Sequence, residues 1–221
     1  MPRIIQVDPD NPQADVLDFA VAAVQSGKII IYPTDTVYGL GADPFNERAV
    51  TRIFSIKNRP RSRPLPLAVS GVNMVDDIAF ITGKAQKLME QFWPGALTVI
   101  LKKREGLLDI VTGGGNSLGV RAPDHEIPLA LIRRMARPLI ATSANLHGEL
   151  PSLDVRNIIS QLRFPVDLIL DGGEPNGVAS TVVDLTKKPP VIVREGPITK
   201  TLIEQQIGKV VTRDPSNHSL H

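Results

Sequence analysis

Lys28-Ile29-Ile30-Ile31-Tyr32-Pro33-Thr34-Asp35-Thr36-Val37-Tyr38-Gly39-Leu40-Gly41 decides how the rest of the chain is read. Three consecutive isoleucines predict a buried strand, and Pro33, which has no N–H to give a sheet ladder, predicts its end. Beyond that end, two threonine hydroxyls, a carboxylate and a phenol crowd in before a Gly-x-Gly turn. In open α/β sheets ligands sit outside strand ends, and glycines admit unusual backbone angles and close approach of a ligand to the main chain. An ordinary strand and turn with its polar residues in solvent fits the spacing equally.

Working outward, the chain of 221 residues is long enough to bury a sizeable core, and 42% hydrophobic with 22% charged residues is ordinary for a globular protein. The absence of cysteine excludes disulfides, thiolate catalysis and cysteine metal sites together. No signal-peptide pattern follows Met1, and no apolar run is long enough to span a membrane, so a cytoplasmic protein with no membrane partner is expected. A net charge of +2 makes the placement of the basic residues more informative than their total.

Ile4–Val7 reads as a short strand. Asn11-Pro12 predicts a helix start, Val16, Phe19, Ala20, Ala23 and Val24 its apolar face, and Gly27 its end. Asn46 predicts a second cap, before Val50, Ile53 and Phe54 at helical spacing with Lys57 one turn on. Strands are expected at 65–69, 97–101, 118–121, 139–141, 166–170, 181–185 and 191–193, and helices at 73–81, 83–93, 128–135, 154–162 and 199–207. This interleaving predicts one mixed α/β (α+β) domain over 1–207, with 208–221 as a tail disordered from about Arg213.

Lys57-Asn58-Arg59-Pro60-Arg61-Ser62-Arg63-Pro64 places cations at alternate positions. In an extended strand they would share one face, and in polyproline geometry they would splay. Either a solvated basic loop or a surface for multivalent phosphate or RNA fits. Arg121 closes an apolar strand as either an ion pair or a fork for carboxylate or phosphate. Thr142-Ser143-Ala144-Asn145, Ser180-Thr181 and Arg194-Glu195-Gly196 are further polar clusters at strand ends, which suggests a shared cleft if those ends converge. There is no P-loop, no Gly-x-Gly-x-x-Gly, no His-Glu-x-x-His and no nucleophile-elbow motif.

The stretch 32–41, Lys57-x-Arg59-Pro60, Pro94-Gly95-Ala96-Leu97-Thr98, Val120-Arg121-x-Pro123, Ser143-Ala144-Asn145, Ser180-Thr181-Val182-Val183-Asp184 and Val193-Arg194-Glu195-Gly196 occur in this order. Together they resemble the YrdC family of threonylcarbamoyl-AMP synthases over about 14–207, in its short single-domain form. The resemblance implies a three-layer fold around a twisted mixed sheet flanked by helices, with a basic concave cavity. It implies formation of threonylcarbamoyl-adenylate and pyrophosphate from L-threonine, bicarbonate and ATP, by a nucleotidyltransferase with Mg2+ accompanying the ATP and no organic cofactor. Partner proteins would pass the adenylate to tRNA.

Carried over by position, Lys57 and Arg59 resemble the family's catalytic phosphate-binding pair. Arg59, Arg63, Ser117, Ser143, Asn145 and Arg194 resemble its ATP contacts, and Thr34, Thr36, Arg121 and Ser180 its threonine contacts. Ala68 stands where long members often carry a histidine, and Pro151 where they can offer a hydroxyl. The resemblance implies no protein metal site. A non-catalytic module of the same fold, binding double-stranded RNA or tRNA or acting in ribosome maturation, is the alternative, and a paralogue acting on a related carbamoyl or adenylate substrate a third.

Overall fold

Ile29, Ile30, Ile31 and Tyr32 are wholly buried, and they divide between two cores. Ile29 and Ile31 pack into the larger hydrophobic cluster, Ile30 and Tyr32 into the smaller one. A strand whose alternate residues face opposite ways can be apolar throughout only if both of its faces are covered, and here both are.

A computed structural model describes residues 2–162 and 165–213. In chain order the elements are β1 (Arg3–Gln6), α1 (Ala14–Gln25), β2 (Ile30–Tyr32), β3 (Gly39–Gly41), α2 (Glu47–Lys57), β4 (Leu67–Ala68), α3 (Val72–Asp76), α4 (Gly83–Phe92), β5 (Leu97–Lys102) and β6 (Ser117–Arg121). There follow α5 (Glu126–Met135), β7 (Leu139–Ile140), β8 (Thr142–Ser143), α6 (Val155–Gln161), β9 (Leu168–Asp171), β10 (Thr181–Asp184), β11 (Val191–Arg194), α7 (Lys200–Ile207) and β12 (Val211–Thr212). No helix among the described residues is long and apolar enough to cross a membrane.

The strands form two mixed sheets rather than one: five strands in the order β1-β9-β2-β3-β8, and seven in the order β12-β11-β10-β5-β6-β4-β7. The expected strand over 139–141 runs on to Ser143 and divides, β7 pairing with β4 in the larger sheet and β8 with β3 in the smaller. Ala141, between them, donates its N–H to Pro66 O, so the two sheets meet where the chain passes from one to the other. Helices α1 and α5 pack together in the smaller core with Ile30, Leu168 and Leu170. On the larger sheet, Val99, Leu101, Val183 and Ile192 share their cluster with Ala85 and Leu88 of α4 and Ile203 and Ile207 of α7. The residues between them in β5 and β10 therefore face the other way, onto the space between the sheets.

Asn46 caps α2 through Ala49 N–H, Thr82 caps α4, Asp154 caps α6 and Thr199 caps α7. The first helix starts later than Asn11-Pro12 predicts. Asp8 accepts the N–H groups of Asp10 and Asn11 in its own turn, and Gln13 takes the cap position without a side-chain bond. Helix α3 stops at Asp76 because 78–80 is drawn beside β5, with Phe80 N–H on Lys102 O and Arg104 N–H on Ile78 O. At the other end the chain stays folded past 207: Val210 is buried, β12 pairs with β11, and Arg213 donates to Ile192 O. The expected disordered tail otherwise lies outside the described residues.

Gly39 and Gly41 need no unusual backbone angle. A Cβ on Gly39 would come within 2.8 Å of Tyr32 Cζ, and one on Gly41 within 2.7 Å of Tyr32 Cε1. The neighbour pressed against this main chain is the Tyr32 ring from the paired strand, so the glycines serve packing, and the expectation of special torsions is corrected.

Candidate active site

The loop after β2 is held by Thr34. Its hydroxyl donates to Val37 O at 2.6 Å and accepts the N–H groups of Thr36 and Val37 at 3.1 and 3.2 Å. The two threonine hydroxyls lie 3.0 Å apart. Thr36 Oγ1 in turn accepts from Arg121 Nη1 at 2.6 Å.

Arg121 ends β6 and is gripped on three sides: Nε donates to Gly95 O at 2.8 Å, Nη1 to Thr36, and Nη2 to Asp35 Oδ1 at 2.5 Å. A guanidinium has five N–H bonds, so two remain. Burial pulls its pKa below the ordinary arginine value while Asp35, bonded to it, pushes the other way. It stays charged.

A second polar wall comes from β10, β5 and β11. Ser180 Oγ lies 2.9 Å from Thr98 Oγ1, and Arg194 donates from Nε to Ser180 O at 2.9 Å and from Nη2 to Ser180 Oγ at 3.2 Å. Burial lowers the pKa of Arg194, and the charge of Arg121 lowers it further.

At the far end, Lys57 is the last residue of α2 and only 1% exposed. Its Nζ donates to Ser143 O, to Asn145 O at 2.8 Å and to Asn145 Oδ1 at 3.2 Å. Ser143 Oγ donates to Asn145 Oδ1, Asn145 Nδ2 to Glu149 O, and His147 N–H to Lys57 O at 2.8 Å, so the 143–149 loop is folded around the helix end. Burial, and then the charge of Arg59, push the Lys57 pKa down to about 7. Arg59 donates from Nη2 to Pro64 O at 2.9 Å and lies 3.3 Å from His147 Nδ1. His147 is held below its usual pKa by burial and by Arg59, Lys57 and Arg63.

This arrangement corrects the straight basic row. Lys57 points inward, Asn58 takes a left-handed conformation (φ 51°) that turns the chain, and Arg63 N–H closes a further turn onto Pro60 O at 2.9 Å. The four cations therefore share neither an extended face nor a regular polyproline one.

One cavity of about 520 Å3 gathers these groups. Thr34, Thr36, Arg121 and Ser180 line it, and so do Lys57, Arg59, Ser117, Ser143, Asn145 and Arg194, whereas Arg63 does not. Sequence reasoning missed Tyr32, Tyr38, Thr98, Glu149 and Asp184 as lining residues. Parity could have found two of them. Thr98 and Ile100 alternate with the core residues Val99 and Leu101 of β5, and Val182 and Asp184 alternate with Val183 of β10. Among the described residues no three His, Asp or Glu side chains gather as a metal site. The cavity wall carries four cations (Lys57, Arg59, Arg121, Arg194) and two carboxylates (Glu149, Asp184). It can hold anionic groups beside Arg121 and Arg194 and beside Lys57 and Arg59.

The Sua5/YciO/YrdC family model, described as telomere recombination, matches residues 22–196. The chain belongs to this family. It is 40% identical over 193 residues to the threonylcarbamoyl-AMP synthase of Pyrococcus abyssi, across 86% of this chain and 57% of that protein. The structure of Pyrococcus abyssi Sua5 complexed with L-threonine superposes with a TM-score of 0.90 at 38% identity, covering 95% of this chain and 62% of that one. The chain thus spans less than two thirds of the Pyrococcus protein. Escherichia coli YciO, at 33% identity and a TM-score of 0.83, is matched over 89% of this chain and 97% of its own. The mixed α/β fold of this family therefore extends across nearly the whole chain.

Proposed function

We propose that this chain is an L-threonylcarbamoyladenylate synthase, a cytoplasmic nucleotidyltransferase that makes threonylcarbamoyl-AMP and pyrophosphate from L-threonine, bicarbonate and ATP. The observation that carries the reading is the single cavity with a guanidinium fork at one end and the Lys57–Ser143–Asn145 cluster at the other. The relatives named threonylcarbamoyl-AMP synthase and the threonine-bound Sua5 structure support it.

At the fork, the two remaining N–H bonds of Arg121 suit the threonine carboxylate, and Thr36 and Ser180 flank it with hydroxyls. At the other end Arg59, Ser117, Ser143 and Asn145 face the nucleotide, and Arg194, held on Ser180 beside the fork, would reach it from the threonine side. Lys57 has its three protons on the 143–145 loop, so its charge serves the phosphates through that loop and not by direct contact. The threonine amine and bicarbonate form a carbamate with loss of water. A carbamate oxygen attacks the α-phosphorus and pyrophosphate leaves, so no enzyme nucleophile is required. The protein's part is to hold two anions in register and to offset charge in the transition state. Glu149 and Asp184 in the wall fit the usual holding of Mg2+ by one or two carboxylates together with phosphates, and the ion would neutralise phosphate charge. The adenylate would pass to partner proteins that modify tRNA, and the basic wall is compatible with RNA at its rim.

The test is pyrophosphate release from ATP with labelled bicarbonate. Release that depends on threonine, with label in an adenylate, is expected. No threonine-dependent release, alongside salt-sensitive RNA binding and no nucleotide-induced thermal shift, would reject the synthase for the RNA-binding module.

A further inference from the structure

Arg121 lines the cavity, but Asp35, the carboxylate bonded to it, does not. The pair is largely shielded from solvent, with side chains 12% and 15% exposed. A guanidinium with two N–H bonds free can present a bidentate fork only while its plane is fixed, and three acceptors fix it: Gly95 O, Thr36 Oγ1 and Asp35 Oδ1. Gly95 O is main chain and Thr36 a neutral hydroxyl. Asp35 is the only charged partner of the three, and it supplies the counter-charge that a buried guanidinium needs.

The turn that carries Asp35 is itself tied down. Between β9 and β10 runs the segment 172–180, which has no regular secondary structure. From it Asn176 Nδ2 donates to Asp35 O at 3.0 Å, and Gly177 N–H donates to Thr36 O at 2.7 Å. Three residues after Gly177 the same segment delivers Ser180 to the opposite wall. One strap therefore fixes the support of Arg121 and the hydroxyl that Arg194 holds.

We infer that Asp35 is a positioning residue for the amino-acid substrate: it acts from behind Arg121, fixing the plane of the carboxylate fork, with Asn176 of the strap fixing Asp35. This rests on the proposed reading of the Arg121 end as the threonine end. The inference distinguishes the two substrates, because the nucleotide end (Lys57, Arg59, Ser143, Asn145) makes no contact with Asp35 or Asn176 among the described hydrogen bonds.

The experiment is calorimetric titration of the full chain with L-threonine and, separately, with ATP, for wild type, Asp35→Ala, Asp35→Asn and Asn176→Ala. Asp35→Ala should weaken threonine binding roughly 10- to 100-fold, the scale of a hydrogen bond to a charged group, and leave ATP binding unchanged. Asp35→Asn keeps an acceptor oxygen for Nη2 and should recover part of that loss. Asn176→Ala removes one hydrogen bond at an exposed position and should weaken threonine about 2- to 10-fold. Threonine bound by Asp35→Ala as well as or better than by wild type would overturn the inference, and so would an equal loss of threonine and ATP. Should Asp35→Ala fail to fold, Asn176→Ala decides, and unchanged threonine affinity there overturns it. A wild-type chain that takes up no threonine overturns the functional reading and this inference with it.

Discussion

Lys57 and Arg121 are both buried cations in one cavity, and they are held in opposite ways. Lys57 rests on neutral acceptors, two backbone carbonyls and a carboxamide, and among the described residues no carboxylate pairs with it. Arg121 rests on one carbonyl, one hydroxyl and the Asp35 carboxylate. Without a counter-charge, burial pushes the lysine pKa down to about 7. With one, and with the higher intrinsic basicity of a guanidinium, Arg121 keeps its proton. The cavity thus has a permanent charge at Arg121 and one that titrates near neutrality at Lys57.

The largest effect that would break this contrast is loss of Lys57. Lys57→Met leaves Asn145 O without a donor, at about 1–3 kcal/mol for a buried group so orphaned, while Ser143 O keeps the Asn145 N–H and Asn145 Oδ1 keeps the Ser143 hydroxyl. The thermal midpoint should fall, and the adenylate-forming rate should drop roughly 10²-fold, as for loss of one transition-state charge. Arg121→Lys should divide the two ends: threonine affinity drops about 10- to 100-fold, since an ammonium cannot replace a bidentate fork, and ATP affinity holds. If calorimetry showed ATP and threonine weakened together in both variants, the cavity would not have two separable ends.

A smaller effect is the pH dependence. A lysine whose folded-state pKa is lowered to about 7 is protonated below that pH and neutral above it. The neutral amine has two N–H bonds where the ammonium has three, and it carries no charge. ATP affinity should therefore fall roughly 10-fold from pH 6 to 8.5, beyond the ligand's own titration, while threonine affinity over the same range stays flat. In Lys57→Met the protein's share of that slope should vanish. For stability the sign is reversed. Between pH 7 and the ordinary lysine value the unfolded chain binds the extra proton, so the penalty for burying Lys57, present in full below pH 7, is relieved as the pH rises.

How much of this could be read from residues alone differs from place to place. The inward aim of Lys57 was legible, because it continues the 50, 53, 54, 57 spacing of the buried face of α2 beside Val50, Ile53 and Phe54. Reading its charge as part of an alternating basic row hid that. The fold class was legible from alternating strands and helices, but the division into two sheets was not. Leu139–Ser143 looks like one strand locally, and only the long-range partners Leu67 and Gly39 assign its halves to different sheets. The reason for Gly39 and Gly41 lies in a ring seven to nine residues away across a strand pair, where no local pattern points. Asp35 stood in the stretch that opened the reading, yet its role depends on Arg121, which is remote in sequence and adjacent only in the fold.

The smallest effect sharpens the contrast by removing a group the fold does not use. Ser117 lines the cavity at the start of β6, and among the described residues its hydroxyl has no hydrogen-bond partner, unlike Lys57, whose three donors are engaged within the protein. Ser117→Ala should leave the thermal midpoint and threonine affinity unchanged, since no internal bond is lost. If Ser117 faces the nucleotide, ATP binding alone should weaken, by about 2- to 10-fold for one neutral hydrogen bond. A fall in the midpoint would mean that the hydroxyl serves the fold. A change in threonine affinity without one in ATP would place Ser117 at the Arg121 end and move the boundary between the two halves of the cavity.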